Sequence, residues 1–306
     1  MKKTLLAASI AALAFAPAAY AENYQMEGGI GYGYYDFDDG GSADLFMADF
    51  TYHFEQVSTA GHPLNEAAFL ERSTNVYGGI DYIKDDDSDK YQTLELGVEA
   101  FIEDFYVNAN IDRNFNPSWL SNTTDFNIKL GFLPMDGLLL TLGYELEEDG
   151  NWAEDKDLGT ISLGGKFVTP LDGEMTLNLE AEVGFQDDND DTVVYTLGGD
   201  LYFNHAVSAG LWVSDTDKSD DKTEFGIRGK YFVTPLVSLE ATFINNLNNE
   251  KKDTAFGLGA NIRFQPKRCS KKAKPSAWLF LCLEFIPSAQ ATPGGFVHGT
   301  SNLRWL

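Results

Sequence analysis

Between Glu22 and Phe264 the chain has no cysteine; its two, Cys269 and Cys282, both follow Phe264. Disulfides form readily in the oxidising compartments outside the cytosol. If the body of the chain is exported, backbone pairing and not cross-links must hold it together. Basic residues are scarce as well. Residues 22–264 hold 14 Lys and Arg against 46 Asp and Glu, within a whole-chain formal charge of -25. Such a surface repels phosphate backbones, so no nucleic-acid partner is expected. No stretch up to Phe264 has the roughly 20 apolar residues that cross a bilayer as a helix, and the mean hydropathy of -0.24 is slightly polar. That rules out a spanning helix but leaves a soluble β-protein and a membrane β-barrel, in which only alternate residues face lipid.

What is present begins with an export signal. Lys2 and Lys3 form a basic start, Leu5 to Ala16 an apolar core, and Ala19-Tyr20-Ala21 the small-x-small pattern of a cleavage site. Residues 1–21 therefore read as a signal peptide, and the mature chain should begin at Glu22.

From Tyr24 onward the chain is a series of segments that alternate apolar and polar residues. Leu94, Leu96, Val98 and Ala100 point one way, with Thr93, Glu95, Gly97 and Glu99 the other. Phe126, Ile128, Leu130 and Phe132 oppose Asp125, Asn127, Lys129 and Gly131 in the same manner. A period of two over so many segments excludes a helical chain. A large β-sandwich also alternates, but its outward face is charged, whereas the polar set here is rich in Gly, Asn, Thr and Ser. Aromatic residues near strand ends, at Tyr24, Tyr34, Tyr52, Phe101, Phe132, Phe167, Phe203 and Phe264, suit the girdles at two membrane interfaces. The expected fold is all-β: a transmembrane antiparallel up-and-down β-barrel of about 14 strands, from 24–36 and 43–56 to 237–246 and 254–264.

The connections alternate in kind, which is an independent check. Odd-numbered ones are acidic and polar, such as Asp36 to Asp44, Glu148 to Asp157 and Asp215 to Lys222. Even-numbered ones are mostly tight turns, such as Glu103-Asp104 and Thr234-Pro235-Leu236. Longer loops outside and short turns on the periplasmic side would put both barrel ends in the periplasm. The exception is Thr59 to Asn75, an even-numbered connection that is long. Ala67, Ala68, Phe69 and Leu70 after Pro63 have helix-compatible spacing. A short helix is expected there, at the periplasmic mouth or tucked into the lumen.

Two resemblances rest on these residues. Thr254 to Phe264 resembles the C-terminal β-signal of outer-membrane proteins, carried here by Phe256, Leu258, Ile262 and Phe264. The Pro63 to Leu70 segment together with the repeated strands resembles the general porins of gammaproteobacteria, the Moraxella and Acinetobacter relatives in particular. The resemblance implies an outer-membrane barrel over residues 22–264, recognised by the barrel-assembly machinery and surrounded by outer-membrane lipid and lipopolysaccharide. In that family the final Phe normally ends the chain, whereas here residues 265–306 follow. Lys267, Arg268, Lys271, Lys272 and Lys274 are basic, and the apolar run Ala277 to Pro287 neither alternates nor spans. This extension reads as translation past a lost stop codon, without fixed structure; a periplasmic anchor is the other reading.

Catalytic readings find little support. Parity puts His53 in the lumen and leaves His62 and His205 in periplasmic connections, away from the lipid-facing wall or outer rim where enzymatic barrels build their sites, so no enzyme is expected. Acidic loops such as Asp85 to Asp89 invite a calcium reading but lack the Gly at position six and Glu at position twelve of a dedicated hand. No metal or other cofactor is expected. The informative surface is the interior. Parity assigns to it Glu27, Asp49, Glu95, Glu99, Asp112, Asp125, Glu145, Glu147, Glu180, Glu182, Asp200 and Glu240, with Lys129, Lys166, Arg228, Lys230 and Arg263 as bases. Carboxylates on a confined wall concentrate cations, and five bases cannot neutralise twelve acids. The expectation is passive diffusion of small hydrophilic solutes with a cation preference; the alternative is a plugged structural or adhesive barrel without channel activity. Trimeric general porins fold a long third loop inward, and the short Asn114 to Asn122 favours a monomer.

Pro266 removes a backbone donor and Lys267 and Arg268 follow it, so the last strand cannot continue past Phe264. Truncation after Phe264 should keep or improve the yield of barrel in outer-membrane fractions; loss of assembly would make residues 265–306 a working part of the protein.

Overall fold

The fold is that of a computed structural model, which describes residues 23–38, 40–86, 89–117, 120–149, 158–187, 192–217, 223–247 and 253–265. The expected signal peptide, parts of the acidic loops, and the extension past Gln265 lie outside the described residues. Fourteen strands follow in order: β1 (Asn23–Asp36), β2 (Ser42–Ser58), β3 (Asn75–Asp85), β4 (Lys90–Ile102), β5 (Phe105–Phe115), β6 (Thr123–Met135), β7 (Leu138–Asp149), β8 (Leu158–Pro170), β9 (Thr176–Asp187), β10 (Thr192–Asn204), β11 (Val207–Thr216), β12 (Thr223–Thr234), β13 (Val237–Leu247) and β14 (Thr254–Phe264). Each pairs antiparallel with its sequence neighbours, and β14 pairs with β1 to close the barrel. Closure is what a bilayer requires, because an open strand edge would leave backbone donors and acceptors unmet in hydrocarbon. The even-numbered connections at 103–104, 136–137, 205–206 and 235–236 are two residues long, as expected of periplasmic turns.

Alternation separates two faces. Outward stand Leu94, Leu96, Ile128, Leu130, Leu142, Leu163, Leu197 and Leu211, with Leu96 as much as 64% exposed. In water such a wall would aggregate; in hydrocarbon it is the expected surface. Tyr34, Phe132, Phe203 and Phe264 stand on this face near strand ends, as girdle residues do. Two expected girdle residues do not. Tyr24 is 1% exposed and packs inside against Val57 and Ala67, because the β1–β2 pairing jumps from Tyr24↔Val57 to Met26↔Tyr52 and turns its ring inward. Phe101 follows the inward set of Glu95, Gly97 and Glu99 and meets Phe69 and Tyr106. Both aromatics pack against the connection between β2 and β3 and not against lipid.

That connection, 59–74, contains a 3-10 turn (Leu64–Glu66) running into a single helical turn, α1 (Ala67–Leu70). The helix is a single turn, since Arg72 just past it takes a left-handed φ of 50°. Leu64 and Ala67 are buried, so the segment lies inside the barrel mouth.

The β6–β7 turn shows how tightly the periplasmic rim is packed. Gly137 has φ +76°, and a Cβ there would lie 2.2 Å from the Val168 carbonyl oxygen, whose own amide donates to the Gly137 carbonyl at 2.8 Å. Gly137→Ala should therefore cost on the order of 1–3 kcal/mol, read as a lower urea midpoint of the refolded barrel in micelles. An unchanged midpoint would mean that the turn relaxes freely away from β8.

Candidate functional site

The bases that parity assigned to the interior meet acids of the same set, two of them between strands that are not neighbours. Lys129 on β6 meets Glu182 on β9 at 2.6 Å, reaching over β7 and β8 where Gly143 and Gly164 leave room. The other bases are also engaged with acids. Lys166 lies 3.0 Å from Glu180, Lys230 3.1 Å from Glu240, and Arg263 bonds Glu27. Arg228 grips Asp200 with two donors, Nε at 2.8 Å and Nη2 at 2.5 Å, the forked geometry that makes Arg–carboxylate pairs specific. Side-chain amides assist: Asn75 donates to Glu99 at 2.7 Å and Asn114 to Asp125 at 2.8 Å.

The remaining acids are organised by register. Asp49, Gly79, Glu95, Asp112, Asp125 and Glu147 are successive cross-strand partners from β2 to β7, with Gly29 of β1 at the near end. The row contains five carboxylates and no base. Glu145 stands one row away, in line with Asn127, Asn110 and Gly97. Like charges directly opposite on neighbouring strands destabilise a sheet, so this wall is held together despite its charge.

The connection with α1 crosses the periplasmic mouth and is fastened around most of its circumference. The Leu64 amide donates to the His205 carbonyl at 2.8 Å, and Arg263 Nη1 donates to the Leu64 carbonyl at 2.8 Å. Glu66, 2% exposed, accepts from the Tyr202 hydroxyl at 2.5 Å and pairs with Lys166 at 2.9 Å. Arg72 reaches the opposite rim, donating to the Glu103 carbonyl and to Asp104 at 2.9 Å and to Asp136 at 3.1 Å. Ser73 bonds His53 Nδ1 at 2.9 Å, and His62 meets Glu71 at 2.9 Å. His53, His62 and His205 thus serve the fastening of this segment. Breaking a buried charge pair such as Glu66–Lys166 typically costs about 3–5 kcal/mol, so the segment sits in one place. Glu66 escaped the parity argument because it lies outside any strand; Asp81 and Glu224, on inward positions of β3 and β12, were within its reach.

The assembly residues expected on β14 face outward: Phe256, Leu258 and Phe264 are exposed on the wall, and Ile262 continues their set. Phe264 pairs with Met26 at the seam.

Residues 1–142 match the family described as putative general bacterial porin. No curated protein matches the chain. Among solved structures, the Acinetobacter baumannii outer membrane protein Omp33 is similar at 23% identity and a TM-score of 0.59, over 79% of this chain and 99% of that one. The KdgM porin (9% identity, TM-score 0.41, 77% and 99%) and a mutant of Rhodopseudomonas blastica porin (13%, 0.44, 78% and 99%) are further neighbours. The likeness to Omp33 bears on the fold. The family match and the closed barrel together support a porin of the bacterial outer membrane.

In this porin the segment across the mouth is the feature placed to narrow the lumen. Deleting residues 62–73 should leave the barrel assembled and raise single-channel conductance in planar bilayers. Unchanged conductance would reduce the segment to a connector.

Proposed function

We propose that this porin passes small hydrophilic solutes by passive diffusion and prefers cations. The observation that carries the reading is the row of five carboxylates, Asp49, Glu95, Asp112, Asp125 and Glu147, in direct register and without a base among them. Low-dielectric walls focus the field of such a row into the confined water and enrich cations there. A barrel of 14 strands also has more interior than its side chains fill, since about eight strands are just filled. We infer further that the acidic loops contact lipopolysaccharide through loosely held divalent ions and that β14 is the strand handed to the assembly machinery.

The fastening of α1 on so many sides favours a second reading, a plugged barrel with a structural or adhesive role. Conductance separates the two, because a plugged barrel carries no steady current. In a salt gradient the porin reading predicts reversal potentials of cationic sign that shrink as ionic strength rises, since the Debye length falls from about 10 Å at 0.1 M to about 3 Å at 1 M. The double change Asp112→Asn and Asp125→Asn should reduce the cation preference. An anionic sign in the wild type would overturn the reading.

A further inference from the structure

We propose that the cavity between α1 and the β8–β10 wall is a subsite for a primary ammonium group, which makes small ammonium-bearing solutes the class this porin selects. The inference rests on the diffusion reading above and narrows it. The cavity measures about 230 Å³ and is lined by Glu66, Glu99, Lys166, Asn178, Glu180 and Asp200, with Phe69 at its α1 side. That is room for a few heavy atoms with water, and less than a drug-sized ligand needs.

Two things are missing from this cavity, and one group supplies both. The first is a donor. Asn178 is 1% exposed, and its Nδ2 donates to Glu180 Oε1 at 2.8 Å and Asp200 Oδ2 at 3.4 Å. Those two carboxylates fix which end of the amide is nitrogen, because neither can donate to it. Its Oδ1 is buried and accepts nothing from the described residues, a costly state for a polar atom. Lys166 is directed to Glu66 at 2.9 Å and Glu180 at 3.0 Å and makes no hydrogen bond to it.

The second missing thing is positive charge. Four carboxylates line the cavity against Lys166, and Arg228 behind Asp200 offsets one more. Two negative charges remain by count. A metal ion would supply charge, but among the described residues no group of three or more His, Cys, Asp or Glu side chains is placed to hold one. An ammonium group instead accepts acceptors spread at hydrogen-bond distance, a neutral amide oxygen among them, and brings three donors.

The test uses the full-length porin refolded in micelles, with titration calorimetry of methylammonium against tetramethylammonium, which has charge but no N–H. Methylammonium should bind saturably and tetramethylammonium should not. Asn178→Leu should weaken methylammonium binding about tenfold, equivalent to about 1.4 kcal/mol, and Glu99→Gln should weaken it severalfold. Folding of each variant is read from its heat-modifiable gel mobility; if Asn178→Leu does not fold, Glu99→Gln decides. Equal binding of the two cations, no saturable binding, or unchanged affinity in the folded variants would overturn the proposal and leave water as the occupant. Potassium current in bilayers is measured separately. Current without methylammonium binding removes the subsite alone, and binding without current keeps the subsite while removing diffusion.

Discussion

Hydrocarbon offers no partner to a peptide group, and everything else in this porin follows from meeting that condition. The decisive contact is the seam, where β14 lies along β1 from Met26↔Phe264 to Asp36↔Thr254. Thirteen antiparallel pairings would still leave two open edges; the fourteenth removes both. Once the sheet is closed, the two-residue period of a strand divides the chain into a wall that touches lipid and a wall that encloses water. The absence of cysteine from the body becomes intelligible at this point, because the ladder of backbone bonds already constrains every strand.

The condition also explains where the unusual packing sits. Tyr24, Val57 and Ala67 form an apolar cluster inside the mouth. Arg263 is laid between the rings of Tyr24 and Phe232, 4.3 and 4.7 Å from their centroids, while its guanidinium bonds Glu27 and the Leu64 carbonyl. Apolar burial alone would tolerate several placements of α1. Glu66, held by both Lys166 and Tyr202, selects one of them, since any other would strand its charge away from a partner.

The alternation of apolar and polar residues made the strands legible, and bounds set by turn residues fall within two residues of those observed, as at β1, β13 and β14. Reading aromatics by position in place of parity misplaced Tyr24 and Phe101. For Phe101 the parity of Glu95, Gly97 and Glu99 already pointed inward, whereas for Tyr24 only the register jump beside Met26 decides. Parity has no purchase on Glu66, because a helical turn in a connection has no inner and outer face until it is packed. The length of that one connection was the available signal. The amide of Asn178 is illegible for another reason: parity puts it inside, but its orphaned oxygen arises from Glu180 and Asp200 both claiming the same nitrogen.

The charges of the lumen are segregated along the axis as well as around it. Glu147 and Asp125 lie two residues from the outer ends of β7 and β6, whereas Asp49 lies seven residues into β2, so the carboxylate row descends obliquely from the outer rim to mid-barrel. Strand stagger in a closed barrel produces such a ramp from residues that are level in register. Lys166, Lys230 and Arg263, with the acids that hold them, lie within four residues of the inner ends of β8, β12 and β14. A cation on the proposed path would therefore be drawn inward by a field of one sign and then meet a belt in which each of these bases is held by an acid. The base-free row attracts where entry is decided, and the cavity beside Lys166 lies past it, so a cation reaches that cavity already concentrated and must be held there weakly enough to leave, as conduction requires.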